Sequence, residues 1–520
     1  MKKKQLRWTL WTIASPFILF IILCILIYLP PIQNFLVDKA AVYASEATGM
    51  NISVGRISLS FPLNLVVTDV DAASPHKDTL LSVRRLQVNV QLLPLLKKQV
   101  EVDGISLQGA TVNSNDLIHG MKLNGTLGEL FISSHGVALD PETAIVNKVL
   151  LKDTDLSLCL NDTAAADTAA SDTTYWKIIL QDIDLQNVSF ALDMPLDSLS
   201  LAASLDNATL RDGLIDLHKS AYSLQTFRIK NGRVRYDSGR PSATASADSL
   251  SAGLDPSHIA LTDIGVKLDS LYYEGRNMKA VISQFVLKER SGVEIVSTEG
   301  RLVSNDKVLR VPSLKLETRD SYLELNAAMD WDALDFKKEG LVSARLMADI
   351  GKPDVVRFMG SMDEKFIRKY PSEPLRIRTG IDGDLNKLKL TTLTAELPGA
   401  LELFAKGELT SLTDSLLRGG DITLQAETKD LKFISTLAEG IEIPYGTRLE
   451  GKFTMAGPKM GTDLLLMQPE AHAVAAADTI PITVYNDSIS VADDFKMERA
   501  ARLFAKYDLS RDRYEADLAV

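Results

Sequence analysis

Any chemistry in this chain would have to come from a short set of residues. Asp153 and Asp155, and again Asp182 and Asp184, stand at i, i+2. In an extended strand that spacing puts two carboxylates on one face, where they could hold a cation or divide acid and base roles. The solvent face of any antiparallel sheet carries the same pattern, and that is the reading favoured here. Cys159 could be a nucleophile, but it stands between Leu158 and Leu160 in an apolar alternation, where a buried, inert thiol is common. The histidines at 76, 119, 135, 218, 258 and 472 never fall at a metal-ligating spacing such as HxH or HxxxH. GPKMGTD at 457–463 sets glycines near a lysine in the wrong order for a phosphate cradle and reads as a β-turn. There is no GxSxG elbow, Walker-type loop or dinucleotide fingerprint. The chain reads as a non-enzyme with no catalytic, metal or cofactor site.

What remains is the set of elements. The 520 residues are 46% hydrophobic and 24% charged, values of a globular chain and not of a disordered or polytopic one. Two cysteines, Cys24 and Cys159, cannot build a disulfide framework. The net charge is −11 although Lys2, Lys3, Lys4 and Arg7 crowd the N-terminus, so the remainder is more acidic still and would repel nucleic-acid phosphates.

From Trp8 to Leu29 no charged residue occurs. As a helix rising about 1.5 Å per residue, that run spans a bilayer. Residues 1–7 form a basic tail that the positive-inside rule keeps in the cytoplasm, and 8–29 is an uncleaved single-pass anchor. Trp8, Trp11 and Tyr28 sit near its ends, with Pro16 and Cys24 within it. Residues 30–49 follow as a short amphipathic helix ending at Gly49.

Beyond residue 50 the period changes to two. Ile57 and Leu59, then Leu86, Val88 and Val90, alternate with polar residues, as do Val100/Val102, Ile105/Leu107, Leu314/Leu316, Leu375/Ile377 and Leu401/Leu403. These aliphatic residues are the candidate lining of an apolar groove. A degenerate phrase recurs, an aliphatic alternation, a short polar or glycine-containing step, then another alternation: VEVDGISLQGATVNS at 100–114, VLLKDTDLSLCL at 149–160, IILQDIDLQNVSFAL at 178–192 and FRIKNGRVRYD at 227–237. Many short strands with brief turns predict an antiparallel meander. The expected divisions are a β unit over 50–160, a flexible linker over 161–174 (NDTAAADTAASDTT) and a β-rich body over 175–520. Short helices near 353–362 and 431–437 are expected to cover a sheet end.

The order of basic tail, span, amphipathic helix and TGMNISVGRISLSFPLNLVVTDV resembles the N-terminal region of the AsmA and TamB families. Gly55 to Ile57, the V-x-V-x-L-x-P-L-L element at Val88 to Leu96 and the V-x-V-x-G-I-x-L-x-G-A element at Val100 to Ala110 carry the likeness. It covers about the first 115 residues, with a looser likeness at IPYGTRLEGKFTMAGP, 443–458. The resemblance implies a mainly β fold, a long curled antiparallel sheet (a β-taco) with a few short helices. It also implies anchorage in the inner membrane of diderm bacteria, a periplasmic body, and a lumen conducting phospholipid acyl chains toward the outer membrane, as in bridge-like lipid transfer proteins. The alternative it implies is a scaffold of a translocation and assembly module for outer-membrane protein assembly or secretion. An Omp85-type barrel would then be the partner of a C-terminal region that this sequence, ending in RDRYEADLAV, is expected to lack.

Overall fold

A computed structural model describes residues 50–519 apart from 61–63, 75–78, 92–101, 119–120, 139–141, 162–174, 240–252, 336–337, 360–363, 437–444, 470–481, 486–487, 492–496, 509–512 and a few single residues, together with Lys39, Ala41, Val42 and Ser45, which are helical. The expected anchor at 8–29, with Trp8, Trp11, Pro16, Cys24 and Tyr28, lies outside the described residues. So do Val100, nearly all of the 161–174 linker and most of the amphipathic helix. Among the described residues no helix is long and apolar enough to cross a membrane. The chain is mainly β with few helices, and it divides into two compact units.

The first unit holds β1 (Asn51–Ser60), β2 (Asn64–Ala73), β3 (Thr79–Val90), β4 (Val102–Ile118), β5 (Met121–Ala138), β6 (Thr143–Leu160), β7 (Lys177–Met194), β8 (Leu199–Asp216), β9 (Ala221–Leu224), β10 (Thr226–Ser238) and β11 (His258–Glu274). Neighbours in sequence pair in space from β1 to β8. β10 then pairs with β8 and β11 with β10, while short β9 lies against the ends of β8 and β11. Two expectations are corrected here. The strands are not all short, since β5 to β8 each run 18 residues. Nor is the meander wholly antiparallel, because β6 and β7 run parallel, with Thr143 opposite Lys177 and Cys159 opposite Asp193. Parallel neighbours need a dozen or more residues to bring the chain back to the start of the strand. The β6–β7 connection, residues 161–176, is long enough to do so.

The second unit is an antiparallel meander: β12 (Asn277–Glu289), β13 (Glu294–Ser304), β14 (Val308–Thr318), β15 (Tyr322–Asp330), β16 (Val342–Ile350), β17 (Leu375–Gly383), β18 (Lys387–Leu397), β19 (Leu401–Thr410), β20 (Gly419–Thr428), β21 (Arg448–Ala456) and β22 (Lys459–Pro469). A separate hairpin, β23 (Ile482–Tyr485) and β24 (Ser488–Val491), interrupts it before β25 (Met497–Asp508) and β26 (Arg513–Ala519) complete the order. Gly457 and Pro458 form the two-residue turn between β21 and β22 with Gly457 at φ 58°, so the GPKMG stretch is a hairpin turn.

The α-helices gather at one rim of this meander, and a 3₁₀ turn over Trp331–Leu334 lies at the other. α1 (Lys352–Met359) and α2 (Glu364–Lys369) connect β16 to β17, and the expected helix at 431–437 is a 3₁₀ turn over Ile434–Thr436. Phe366, Tyr370 and Phe433 interlock with ring centroids 5.2–5.7 Å apart over Leu397, Ala400 and Leu431. Phe366 is 2% exposed and Ala400 wholly buried. Leu375 and Leu401 pack against this cluster, which corrects their assignment as open groove lining: they sit at strand ends, where the helical connections fold back over them.

α1 is pinned by a buried carboxylate. Asp354 is inaccessible to solvent and accepts hydrogen bonds from the Thr318 and Ser321 hydroxyls of the β14–β15 turn. Arg357 Nη1 donates to Asp354 Oδ1 and Asp320 Oδ2, both at 2.9 Å. Burial alone would raise the Asp354 pKa, but the two hydroxyls and the guanidinium together hold it below the ordinary value.

Candidate functional site

Residues directly opposite one another on paired strands share a face, so the register alone sorts each side chain. Across ten strands of the first unit one row reads Ile57, Val67, Leu86, Leu107, Leu130, Leu151, Leu185, Ala208, Ile229 and Val266. The next row outward is Leu59, Leu65, Val88, Ile105, Ile132, Val149, Ile183, Leu210, Phe227 and Leu268. On the other side lie Val54, Val70, Val83, Ala110, Leu127, Thr154, Val188, Leu205, Gly232 and Ile264. A fourth row holds Ile52, Ala72, Leu81, Val112, Gly125, Leu156, Phe190, Ala203, Val234 and Leu261. No charged residue interrupts these rows. At about 4.8 Å between strands they run roughly 43 Å across the unit. Ala72, Val83, Thr154, Ala208 and Ile264 are buried, but most of the face is only half-buried, unlike the interior of a closed sandwich.

The apolar face stays on one side because of a feature that strict alternation would forbid. Along nine of the ten strands the first and third rows are three residues apart, as with Leu151 and Thr154 or Leu185 and Val188, while on β11 Val266 and Ile264 are two apart and the three-residue step falls between Ile264 and Leu261. With a period of two, an odd spacing would send the two rows to opposite faces. Between them runs a line of residues, Gly55, Asp69, Arg84, Gly109, Gly128, Asp153, Asn187, Asp206 and Asn231, of which Asp69, Gly109, Asp153, Asn187 and Asn231 have left-handed backbones with φ from 49° to 62°. On β11 the left-handed residue is Asp263, just beyond Ile264. A left-handed residue turns the strand over locally, and Asp, Asn and Gly are the types that tolerate it. Gly128 is required for a different reason, since a Cβ there would lie 2.8 Å from that of Asp153. The Asn187 amide donates to Asp153 Oδ1 at 2.9 Å, and the Asn231 amide to Asp206 Oδ2 at 2.9 Å.

The second unit repeats the sorting without the crease. Leu316, Leu323, Ala348, Ile377, Ala395, Leu403, Ala426, Leu449 and Leu466 form one row over nine strands, and Leu314, Leu325, Leu346, Thr379, Leu393, Ala405, Leu424, Gly451 and Leu464 the next. Its opposite face carries cross-strand ion pairs: Arg378 with Asp349 at 2.7 Å, Lys452 with Asp421 at 2.8 Å, and Arg345 with Asp382 at 2.6 Å. Arg345 and then the Ser343 hydroxyl hold the Asp382 pKa below its ordinary value. A shallow hollow of about 660 Å³ on this face is lined by both signs of charge, among them Arg376, Glu396, Glu402 and Arg448.

Within each unit the sequence candidates come together. Ile57, Leu59, Leu86, Val88, Val90, Val102, Ile105 and Leu107 share the apolar face of the first unit. Leu314, Leu316, Ile377 and Leu403 share that of the second. The carboxylate pairs do not form a cation site. Arg211 bridges Asp182 and Asp184, while Asp153 and Asp155 bond to Asn187 and Ser189 on β7. Cys159 is half-buried on the face opposite Leu158 and Leu160, its Sγ 3.3 Å from Asn161 Oδ1. The expectation of a buried thiol is thus corrected by alternation itself. The left-handed line was not anticipated. Its signal is the three-residue gap between apolar alternations filled by Asp, Asn or Gly, as in LKDT, LQNV and IKNG.

Comparison with known proteins finds no matching family model and no matching curated protein.

An uncharged surface of aliphatic side chains cannot activate a nucleophile or move a proton. It can bind hydrocarbon, at about 0.8 kcal/mol per methylene removed from water.

Proposed function

We propose that this chain is a conduit for phospholipid acyl chains. The observation that supports the reading is the set of four uncharged rows crossing ten strands of the first unit, matched in kind in the second unit. Along such rows an acyl chain can slide from one strand to the next without passing a charged group. The exposure that makes lipid transfer through water slow is thereby removed at each step, and no energy source is needed for conduction itself. In this reading each sheet curls along its strands into a trough, the β-taco of the AsmA and TamB families. The apolar run at 8–29 anchors the N-terminus in the inner membrane of a diderm cell, and the body lies in the periplasm and passes phospholipid toward the outer membrane. An Omp85-type barrel is the outer-membrane partner in the same reading.

The reading is tested by placing a charge on the trough. Full-length chain purified in mild detergent should carry phospholipid, counted by mass spectrometry. Leu156→Asp or Leu403→Asp should reduce the lipid per chain severalfold, whereas Ser157→Asp or Thr423→Asp on the opposite face should not. Equal lipid in all four variants, or protein fragments in place of lipid, would reject it; the latter outcome would favour the assembly-scaffold alternative.

A further inference from the structure

The second unit has two unlike rims. One is roofed by α1, α2 and Phe433. The other is made by the described residues of the connections 305–307, 331–341, 384–386, 411–418 and 457–458, and these hold four leucines out in water: Leu334 at 56% exposure, Leu341 at 67%, Leu416 at 77% and Leu417 at 70%. Exposed leucines on loose loops would mean little, but these loops are laced together. Trp331 N donates to Lys307 O at 2.8 Å and its indole Nε1 to Asn305 O at 2.9 Å. Ser411 N donates to Asn386 O at 2.9 Å, Gly457 N to Arg418 O at 2.6 Å, and Arg418 Nε back to Gly457 O at 2.9 Å. The Asp414 carboxylate accepts from the backbone N–H groups of Leu416 and Leu417, which fixes the pair at the tip.

We infer that this leucine rim is a docking edge for a phospholipid bilayer, resting on the acyl-chain reading of the adjoining face. Two observations select lipid over a protein partner. The rim is continuous with the apolar face, whose outermost row runs Val342, Gly383, Leu388, Leu409, Gly420 and Met455 directly beneath it. The connections carry six carboxylates against four basic side chains, a net charge of −2, with Lys338 paired to Asp332 at 2.9 Å, so the leucines and not electrostatic attraction would hold the edge to a zwitterionic headgroup layer. Trp331 lies there with the Arg276 guanidinium 5.4 Å from its ring centroid, a pairing suited to the headgroup boundary. Four leucines spread over about 24 Å would enter the interface together and leave the bilayer in register with the trough.

The test uses the full chain in nanodiscs, with Cys24→Ser and Cys159→Ser, carrying an environment-sensitive fluorophore on a single cysteine at 334, 341, 416 or 417, or at 406 on the polar face. Phosphatidylcholine vesicles containing a nitroxide lipid are then added. Emission at the four rim positions should rise and then be quenched, with little change at 406. Rim probes that do not respond, or respond no more than the one at 406, would overturn the inference. In a second arm, Leu416→Ser with Leu417→Ser should weaken vesicle capture at least about fivefold while lipid crosslinking from position 403 is retained. Unchanged capture would overturn the inference. Failure of crosslinking at 403 in the otherwise unsubstituted chain would fall on the acyl-chain reading instead, so the two failures are distinct.

Discussion

Asp153 and Asn187 face each other across the parallel pair β6–β7, both left-handed at φ 49° and 51°, with the Asn187 amide bonded to Asp153 Oδ1 at 2.9 Å. Each belongs to the line that turns the strands over and keeps Leu151 and Leu185 on the same face as Leu156 and Phe190. A β-branched residue at such φ costs about 1–3 kcal/mol, while glycine is free to adopt it. Asn187→Val should therefore lower unfolding stability by that amount, and Asn187→Gly should stay near the parent. Denaturant titration of both variants checks the difference, and equal stabilities would argue against a left-handed Asn187.

The parallel pairing makes its own prediction. Cysteines at 146 and 180, or at 158 and 192, stand opposite each other at the two ends of β6–β7, and in a Cys159→Ser background both pairs should oxidise readily. An antiparallel hairpin would bring 146 beside 192 instead. Bridging of that pair, in preference to the other two, would contradict the topology.

Asp354 ties α1 to the β14–β15 turn with its pKa lowered. A carboxyl whose folded pKa lies below its unfolded value contributes stability that is complete above the unfolded value and is lost as pH falls through the folded one. The second unit should thus lose stability in acid, below the usual carboxylate range. Asp354→Asn should be less stable at neutral pH by roughly 1–3 kcal/mol and show a flatter acid limb. A variant whose pH profile parallels the parent's would remove Asp354 as the cause.

Phe366 and Phe433 belong to the buried aromatic cluster at the helical rim. Truncating Phe366 to alanine should cost about 3–5 kcal/mol. Hydrogen exchange should accelerate in 352–369 and 428–436 more than in β20–β22. Uniform acceleration across the unit would mean that the cluster is not a local cap.

Much of this arrangement was legible in the sequence for a physical reason. A half-buried strand must alternate, so Ile57/Leu59, Leu86/Val88/Val90 and Leu314/Leu316 declare their shared face by spacing alone. The left-handed line was present in the same letters, as LKDT and LQNV, but a polar step between alternations looks the same whether it ends a strand or bends one. Pairing over 18 residues decides between them, and pairing is non-local. The parallel step was hidden for a similar reason, because a long polar connection carries no mark of the direction in which the next strand will run. Leu375 and Leu401 alternate like their neighbours, and only the fold of α2 and Phe433 over them removes them from the open face.

The most direct test of the acyl-chain face compares neighbouring positions that differ only in the side on which they lie. A photocrosslinking amino acid is placed in the full chain, in cells, at Leu59, Val88, Leu107 or Leu403, and at the adjacent Ser58, Gln87, Ser106 or Glu402. Labelled adducts are then read by mass spectrometry. The account predicts phospholipid adducts from the four aliphatic positions and few or none from the four polar ones. Adducts arising equally from both sets, or chiefly from the polar set, would contradict it.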